Sequence, residues 1–348
     1  MKIFIFKPDG IGDFVLATGV IRKLAEIYGE DQLMICVRSI VGSLAKAQFP
    51  KAHILELPVI DKRIRLNLFV ANFLRCFKPW MRLLCKRFEY AVSLRYMREY
   101  LHTFIFFSTP ARHLVTCENL LLRNQRKTRY MVEMVAVGLR RARVVEYPKQ
   151  GSFVPLELEA HRRVLSAVLK KEMSMQDVHP YLHAEPQVGD YLLCCPFSAL
   201  RSKDYPLGQW LTVLRLIPAE TLPPQILLSG SATQTPELQE MAAKLKAEGF
   251  QNVEIYTGKS LQDFVNCVAG ARMVLTVDTA AAHIAVTLDR PAVILHSGLH
   301  QGMFAPWRSS EKQFWFEAAR QGKQKWHTFI SPESVAVEAE RLLRNASH

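Results

Sequence analysis

Val274 to His283 reads Val-Leu-Thr-Val-Asp-Thr-Ala-Ala-Ala-His, a pattern that can seat an anion. Val274 to Val277 is a short apolar run rich in β-branched residues, so a buried strand is expected. Asp278 or Thr279 then caps a helix running through Ala280, Ala281, Ala282, Ile284 and Ala285. Small residues there let a ligand approach the first-turn amides. Free N–H groups and the helix dipole favour phosphate at that point. The same pattern also describes an ordinary capped crossover helix in an α/β domain. A second strand-to-helix corner stands at the N-terminus. Lys2 to Lys7 is a strand, Pro8-Asp9-Gly10-Ile11-Gly12-Asp13 is a turn, and Phe14 to Tyr28 has helical spacing. Asp13 is placed either to work as an acid or base or to cap that helix.

The elements that must hold these corners alternate strand and helix, which predicts parallel sheets with right-handed crossovers. Gln32 to Val37 and Ile54 to Leu57 read as strands, with a short helix at Val41 to Ala47 between them. Tyr90 to Leu94 is a further strand, and Met131 to Arg143 has helical spacing. Val144 to Pro155, with Pro148 and Gly151, reads as a linker. The alternation resumes with a helix at Glu157 to Lys171, a strand at Asp190 to Cys195 and a helix at Leu207 to Leu216. It continues through strands at Gln225 to Ser229, Val253 to Ile255, Met273 to Val277 and Ala292 to Leu295. The expected domains are therefore 1–150 and 151–330, followed by a terminal helix within 331–348.

Between Lys62 and Arg87 there is no acidic residue, while Leu, Phe and Trp interleave with Lys and Arg. Pro79 should break this stretch into two helices or kink it. A basic amphipathic segment of this kind is a membrane-surface signature, each cation adding about 1 kcal/mol near an anionic leaflet. The alternative is a helical hairpin packed on the sheet with solvated charges. Arg95, Arg98, Arg112, Arg123 and Arg129 then concentrate positive charge in the same half, where Arg suits bidentate contacts to an acceptor's phosphates or carboxylates.

The chain has 348 residues, 49% apolar content and a formal charge of +13. That length supports two domains with real cores. The charge implies an acidic partner: nucleic acid, an anionic membrane or a phosphorylated substrate. Nothing long and apolar enough to span a bilayer is visible, and no signal peptide is expected. Seven cysteines without a Cys-x-x-Cys argue for a reducing compartment. Several motifs fail. Val15 stands where a dinucleotide fingerprint needs its third Gly, and Gly258-Lys259-Ser260 lacks the earlier Gly of a P-loop. No Asp-x-Asp, no zinc-type His-x-x-x-His helix and no Gly-x-Ser-x-Gly elbow is present.

Together the two corners resemble glycosyltransferase family 9, the ADP-heptose:lipopolysaccharide heptosyltransferases. The residues that carry the likeness are Ile11-Gly12-Asp13-Phe14-Val15-Leu16-Ala17-Thr18 and Asp278-Thr279-Ala280 with His283. It extends through Gly258-Lys259-Ser260-Leu261 and Arg290-Pro291-Ala292-Val293, and is loose over 63–155. The resemblance implies a GT-B fold, two Rossmann-like α/β domains with parallel sheets facing a central cleft. The first domain would bind acceptor, the second would bind nucleotide sugar, and the terminal helix would return toward the first. The implied reaction is inverting and metal-independent, with heptose or a related sugar passing from a nucleotide diphosphate to a lipopolysaccharide-type glycolipid.

By the same resemblance Asp13 is the catalytic base and Lys203, in Arg201-Ser202-Lys203, stabilises the leaving diphosphate together with Arg201. Thr279, Ala280 and Ala281 would give backbone amides to the phosphates, Asp278 would orient sugar hydroxyls or cap the helix, and His283 would be a lesser contact. Ser229 and Gly230 fall where the ribose should lie, and Lys259 where relatives contact adenine. Relatives usually have a carboxylate shortly after Gly230, and here the next acid is Glu237. Relatives also usually have Gly where Ala280 stands. Gly12, Arg63, Arg95, Arg98 and Arg123 are the acceptor-side candidates. No cofactor and no metal is expected, the nucleotide sugar being a substrate. The expected partners are that donor, an anionic glycolipid and the inner-membrane surface through residues 62–88, with no nucleic acid. The expected place is the cytoplasmic face of a bacterial inner membrane. The rival readings are a different nucleotide sugar, a protein acceptor, or a non-catalytic basic membrane-surface protein.

Overall fold

Short continuous apolar runs and helical runs alternate along most of the chain, and each strand finds its neighbour in parallel. The computed structural model describes residues 1–59, 66–120, 127–148, 156–299, 302–304, 306–307, 310–318 and 325–346. It divides into two compact units, Met1–Tyr181 with Gly302–Phe304, and Leu182–Gln301 with Ala305–His348.

The first unit holds strands β1 (Ile3–Lys7), β2 (Leu33–Arg38), β3 (His53–Leu57), β4 (Phe88–Ser93), β5 (Ala111–Cys117) and β6 (Arg143–Val145). Its helices are α1 (Ile11–Tyr28), α2 (Gly42–Gln48), α3 (Leu66–Leu84), α4 (Tyr100–Ser108), α5 (Lys127–Arg140) and α6 (Leu156–Leu169). The six strands are ordered β3-β2-β1-β4-β5-β6. All pairings are parallel, with Ile5 between Ile35 and Val92. The second unit holds β7 (Tyr191–Cys195), β8 (Gln225–Ser229), β9 (Val253–Tyr256), β10 (Met273–Val277), β11 (Ala292–His296) and β12 (Gln313–Glu317). Its helices are α7 (Leu207–Leu216), α8 (Thr235–Ala247), α9 (Leu261–Gly270), α10 (Ala280–Thr287) and α11 (Pro332–Asn345). Its strand order, β12-β11-β10-β7-β8-β9, repeats the first.

Each sheet is thus doubly wound, and the order reverses between β1 and β4 and between β7 and β10. Helices cover both faces, so every residue of β1, β7, β10 and β11 is buried. In such sheets ligands bind outside the carboxyl ends of the strands at the reversal.

Four expectations are corrected. The chain passes between units at Tyr181 and Leu182 rather than after residue 150. The cause is the segment after α6, which packs back on α1. Thr18 Oγ1 accepts a hydrogen bond from Tyr181 N at 2.9 Å. A Cβ at Gly19 would stand 2.3 Å from the Val178 carbonyl oxygen. The start of the expected linker, Val144–Val145, pairs with β5 instead. Pro79 lies inside a continuous α3 rather than between two helices. The terminal helix is part of the second unit: Val335, Ala339, Leu342 and Leu343 of α11 enter its core with Trp210 and Leu214. Residues 302–304 make the opposite excursion. The Gly302 and Met303 carbonyls accept hydrogen bonds from the Leu156 and Glu157 amides, each at 3.0 Å, at the start of α6.

Gly19 and Gly138 separate two uses of glycine. Gly19→Ala forces α1 off the Val178 turn and should destabilise the protein by about 1–3 kcal/mol. Gly138 has nothing within 4 Å of a built Cβ, so Gly138→Ala should stabilise by up to about 1 kcal/mol through helix propensity. Thermal melts of the two variants check both signs.

Candidate functional site

The second unit carries its polar side chains at the carboxyl ends of its strands. Asp278 follows the last residue of β10 and is 5% exposed. Its carboxylate receives Lys203 Nζ at 2.5 Å, from the loop after β7. His296 Nε2, at the end of β11, stands 3.6 Å from the same oxygen, and His283 Nε2, on α10, stands 3.9 Å from the other. Both rings are oriented from behind. Gly298 N donates to His296 Nδ1 at 3.1 Å, and Trp307 Nε1 donates to His283 Nδ1 at 3.3 Å. Nδ1 therefore accepts in each ring, which leaves the Nε2 side to face the carboxylate as donor. Burial alone would raise the Asp278 carboxyl, but His283, Lys203 and His296 around it outweigh burial and hold it below the usual range. Burial first, and then Lys203, lower the His296 imidazole against the pull of Asp278.

The Lys203 loop is fixed on several sides. Trp210 Nε1 donates to the Pro196 carbonyl at 3.2 Å, Trp326 Nε1 to Ser202 at 2.9 Å and Tyr205 Oη to Ile330 at 2.8 Å. Ser198 N donates to Asp204 Oδ1 at 2.6 Å, closing the loop on itself. Lys203 accordingly approaches Asp278 as a positioned cation.

Thr279 is the N-cap of α10, in extended backbone and with no side-chain cap bond. Asp278 caps nothing, because its carboxylate is taken by Lys203. The first-turn amides of α10, with half-buried Ala280 and buried Ala281, thus keep donors for a ligand, beside a half-buried cation.

The other donor-side candidates lie along the same sheet edge but outside this cluster. Ser229 is 3% exposed and donates its hydroxyl to the Tyr256 carbonyl at 2.9 Å. Gly230 follows it at the end of β8. Lys259 is exposed between Gly258, whose φ is +72°, and the Ser260–Asp263 capping box. Arg201 is exposed and paired with Glu237 on the first turn of α8, and lies 3.8 Å from Asp204. The acid after Gly230 is therefore engaged by an arginine of the neighbouring loop.

In the first unit Asp13 is the third residue of α1, half-buried, and its Oδ2 accepts from Gly10 N at 3.1 Å. The helix-terminus role is realised, and it fixes the carboxylate at the strand-end corner. Gly12 sits half-buried in the same turn. Behind the corner lies a network of buried charge. Lys7 is 1% exposed at the last position of β1. Its Nζ bonds Glu157 and the Leu94 carbonyl at 2.8 Å each and lies 3.3 Å from Asp9. Arg95 joins Asp9 to Glu99, the latter at 2.7 Å, and Glu99 meets His102 Nδ1 at 2.6 Å.

Two acceptor-side expectations are corrected here. Arg95 and Arg98 are 4% and 3% exposed, so neither is a loop cation facing solvent. Arg98 donates to Thr116 Oγ1 at 2.7 Å, to the Arg95 and Cys117 carbonyls at 2.8 and 3.1 Å, and to Glu133. A buried guanidinium must be matched by carboxylates, and Glu99 and Glu133 supply them. Arg63 and Arg123 lie outside the described residues. Sequence reasoning missed Lys7, Glu157, Glu133 and His296. Lys7 and His296 shared one signal, a polar residue ending an otherwise apolar strand.

His102 is held down to about 4, by burial first and also by Arg95, although Glu99 opposes. The unfolded chain takes up that proton near its ordinary 6.5, while the folded one refuses it until about 4. The unfolded state thus binds more protons in this window, and stability falls as pH falls from 6.5 to about 4. Glu99 is held below the usual carboxylate range by His102 and Arg95 against the effect of burial, so its contribution is also lost on acidification. Thermal melts across this window should show a steeper loss for the wild type than for His102→Gln.

Comparison with known proteins gives the family and the fold. The family model for glycosyltransferase family 9 (heptosyltransferase) matches residues 123–330, more than half of the chain. Lipopolysaccharide heptosyltransferase 1 of Salmonella typhimurium is 30% identical over 124 residues, covering 35% of this chain and 37% of that protein. The chain therefore spans little over a third of the length of that relative. Among solved structures, E. coli ADP-heptose lps heptosyltransferase II superposes with a TM-score of 0.74 at 18% identity, covering all of both chains. E. coli heptosyltransferase WaaC with ADP gives 0.71 at 16% identity, covering 99% of this chain and 100% of that one. Those two likenesses establish the fold, two Rossmann-like units in the GT-B architecture. Asp13, Arg95 and Arg98 precede the matched span, whereas Lys203, Asp278, Thr279 and His283 fall within it. On that match the chain belongs to glycosyltransferase family 9.

Proposed function

We propose that this protein is an inverting, metal-independent glycosyltransferase that moves heptose, or a related sugar, from a nucleotide diphosphate to a hydroxyl of an anionic lipopolysaccharide-type glycolipid. The observation that carries the reading is the Lys203–Asp278 pair beside the uncapped first turn of α10. Sugar transfer creates negative charge on the departing diphosphate. Lys203 and the amides at Thr279, Ala280 and Ala281 form a preorganised seat for it, so side chain and backbone supply the charge a metal would otherwise provide. Asp278 holds the ammonium in place and stays ionised because two imidazoles and that ammonium surround it.

Asp13 takes the proton from the acceptor hydroxyl, which then attacks the anomeric carbon in one displacement and inverts it. Gly12 leaves the corner open to the incoming hydroxyl, and Arg63 and Arg123 bind acid groups of the acceptor. ADP-heptose is the favoured donor, in keeping with the ADP in the E. coli WaaC structure. Ser229, Gly230 and Lys259 lie along the nucleoside end, with Arg201 held by Glu237 at its border. The acceptor's lipid places the reaction at the cytoplasmic face of the inner membrane.

The test is release of ADP, GDP or UDP from a panel of nucleotide sugars in the presence of a heptose-accepting core glycolipid. ADP release should dominate. No turnover of any nucleotide sugar would overturn the enzymatic reading. Asp13→Ala should abolish transfer while nucleotide affinity measured by calorimetry is kept, and normal turnover would remove Asp13 from its role. Lys203→Ala should lower kcat by roughly a hundred- to a thousandfold, the loss seen when one preorganised donor is removed.

A further inference from the structure

Three helices of the first unit form one layer over one face of its sheet. Cys76 and Leu83 of α3 and Leu101, Ile105 and Phe106 of α4 enter a single core, and Ala136 and Val137 of α5 pack against it. The opposite side of the layer is apolar where a solvated helix would carry charge. Val70, Leu74, Phe77 and Met81 follow one another at helical spacing along α3 and are 48%, 65%, 44% and 40% exposed. Phe104 of α4, also exposed, has its ring centroid 5.1 Å from that of Trp80 and so joins the two helices. On α5, Val135 and Leu139 are 58% and 80% exposed. Single exposed apolar residues are ordinary, but a set joined across α3 and α4, with further exposed apolar residues on α5 of the same layer, marks an interaction surface.

Charge on this layer has one sign. Neither α3 nor α4 contains an acid, and the one acid of α5, Glu133, is turned inward onto Arg98. Arg75, Lys78 and Arg82 on α3, with Lys86 and Arg87 just beyond it, are exposed beside the apolar stripe. Aliphatic and aromatic side chains rimmed by cations match the headgroup–acyl boundary of an anionic bilayer. A nucleic-acid surface would have little use for the aliphatic stripe.

We propose that the α3–α4–α5 face docks on a bilayer containing anionic lipid. Leu74, Phe77, Met81 and Phe104 enter the boundary, and Arg75, Lys78 and Arg82 lie among the headgroups. This deepens the transfer reading by naming the surface on which a lipid-linked acceptor is met. It rests on that reading only for its purpose, since binding is measurable without sugar transfer.

The test is flotation of the full chain with phosphatidylcholine vesicles, with and without phosphatidylglycerol. The wild type should float with the anionic vesicles and much less with neutral ones. Leu74→Asp with Phe77→Asp should lower the bound-to-free ratio by at least about tenfold, because two apolar anchors are lost. Arg75→Glu with Lys78→Glu should lower it by a comparable factor and weaken its dependence on salt. These positions are exposed, so melting temperatures should not move, and a variant that melts early is replaced by Met81→Asp. Failure of the wild type to float with anionic vesicles, or equal flotation of the variants, overturns the proposal. So does finding that the substitutions abolish a dimer or oligonucleotide binding while leaving flotation intact. Nucleotide release from the donor sugar is followed in parallel. Docking without turnover counts against the transfer reading alone, and turnover without docking against this one.

Discussion

A charge removed from water must be met by its opposite, and this requirement organises both units. Asp278 remains an anion at 5% exposure because Lys203, His283 and His296 converge on it. Lys7 remains inside the first unit because Glu157 and Asp9 meet it, and Arg98 because Glu133 does. Each group stands at the carboxyl end of a parallel strand or in the loop that follows it. That is where the sheet's own hydrogen bonding stops and the backbone turns away, so polar side chains can gather without interrupting a ladder. Breaking such a pair by deleting one partner costs about 3–5 kcal/mol, because the survivor is left buried and uncompensated. The loops that bear Asp13 and Lys203 are therefore held by electrostatics as well as by packing.

The two pairings differ in how open they are. Arg98 is held at both terminal nitrogens by carbonyl, hydroxyl and carboxylate acceptors. Lys203 has Asp278, with the Asp278 carbonyl at 3.5 Å, and lies beside a helix start whose side chain makes no cap. A cation gripped by several acceptors stiffens a loop, and one with fewer partners next to free amides can take an anion. Residue type alone does not separate these cases, since Arg and Lys at strand ends look alike in a sequence.

Much of the architecture was legible in the residues. Buried parallel strands read as continuous apolar runs, and α7, α10, β8 and β10 fall on the residues that spacing predicts. What was lost had physical causes. α4 is apolar on every side, so it shows no helical face. β5 begins Ala-Arg-His, where charge hides the strand. β12 is an edge strand with half-exposed Phe and Trp. α3 runs through Pro79 because one missing N–H does not outweigh the packing of Cys76 and Leu83 on either side. At the site, Asp278 and Thr279 stood out because a strand end followed by small residues has few uses, and Lys203 stood out only through the family resemblance. Glu133 and Glu157 were not, because they sit on helices far along the chain and reach the strand ends only through the fold. Arg95 and Arg98 carried the right charge for a surface role, and burial reassigned them.

Residues 302–304 give the topology a further meaning. The chain leaves the first unit after Tyr181, comes back to it for a few residues, and leaves again. Those residues place two carbonyls on the amides that open α6, one of them the amide of Glu157, the carboxylate that holds Lys7. The first unit is therefore completed only when most of the second has been synthesised. A fragment ending near residue 181 would lack the acceptors for that helix start, and a ribosome-bound chain would carry the same deficit until the late segment emerged.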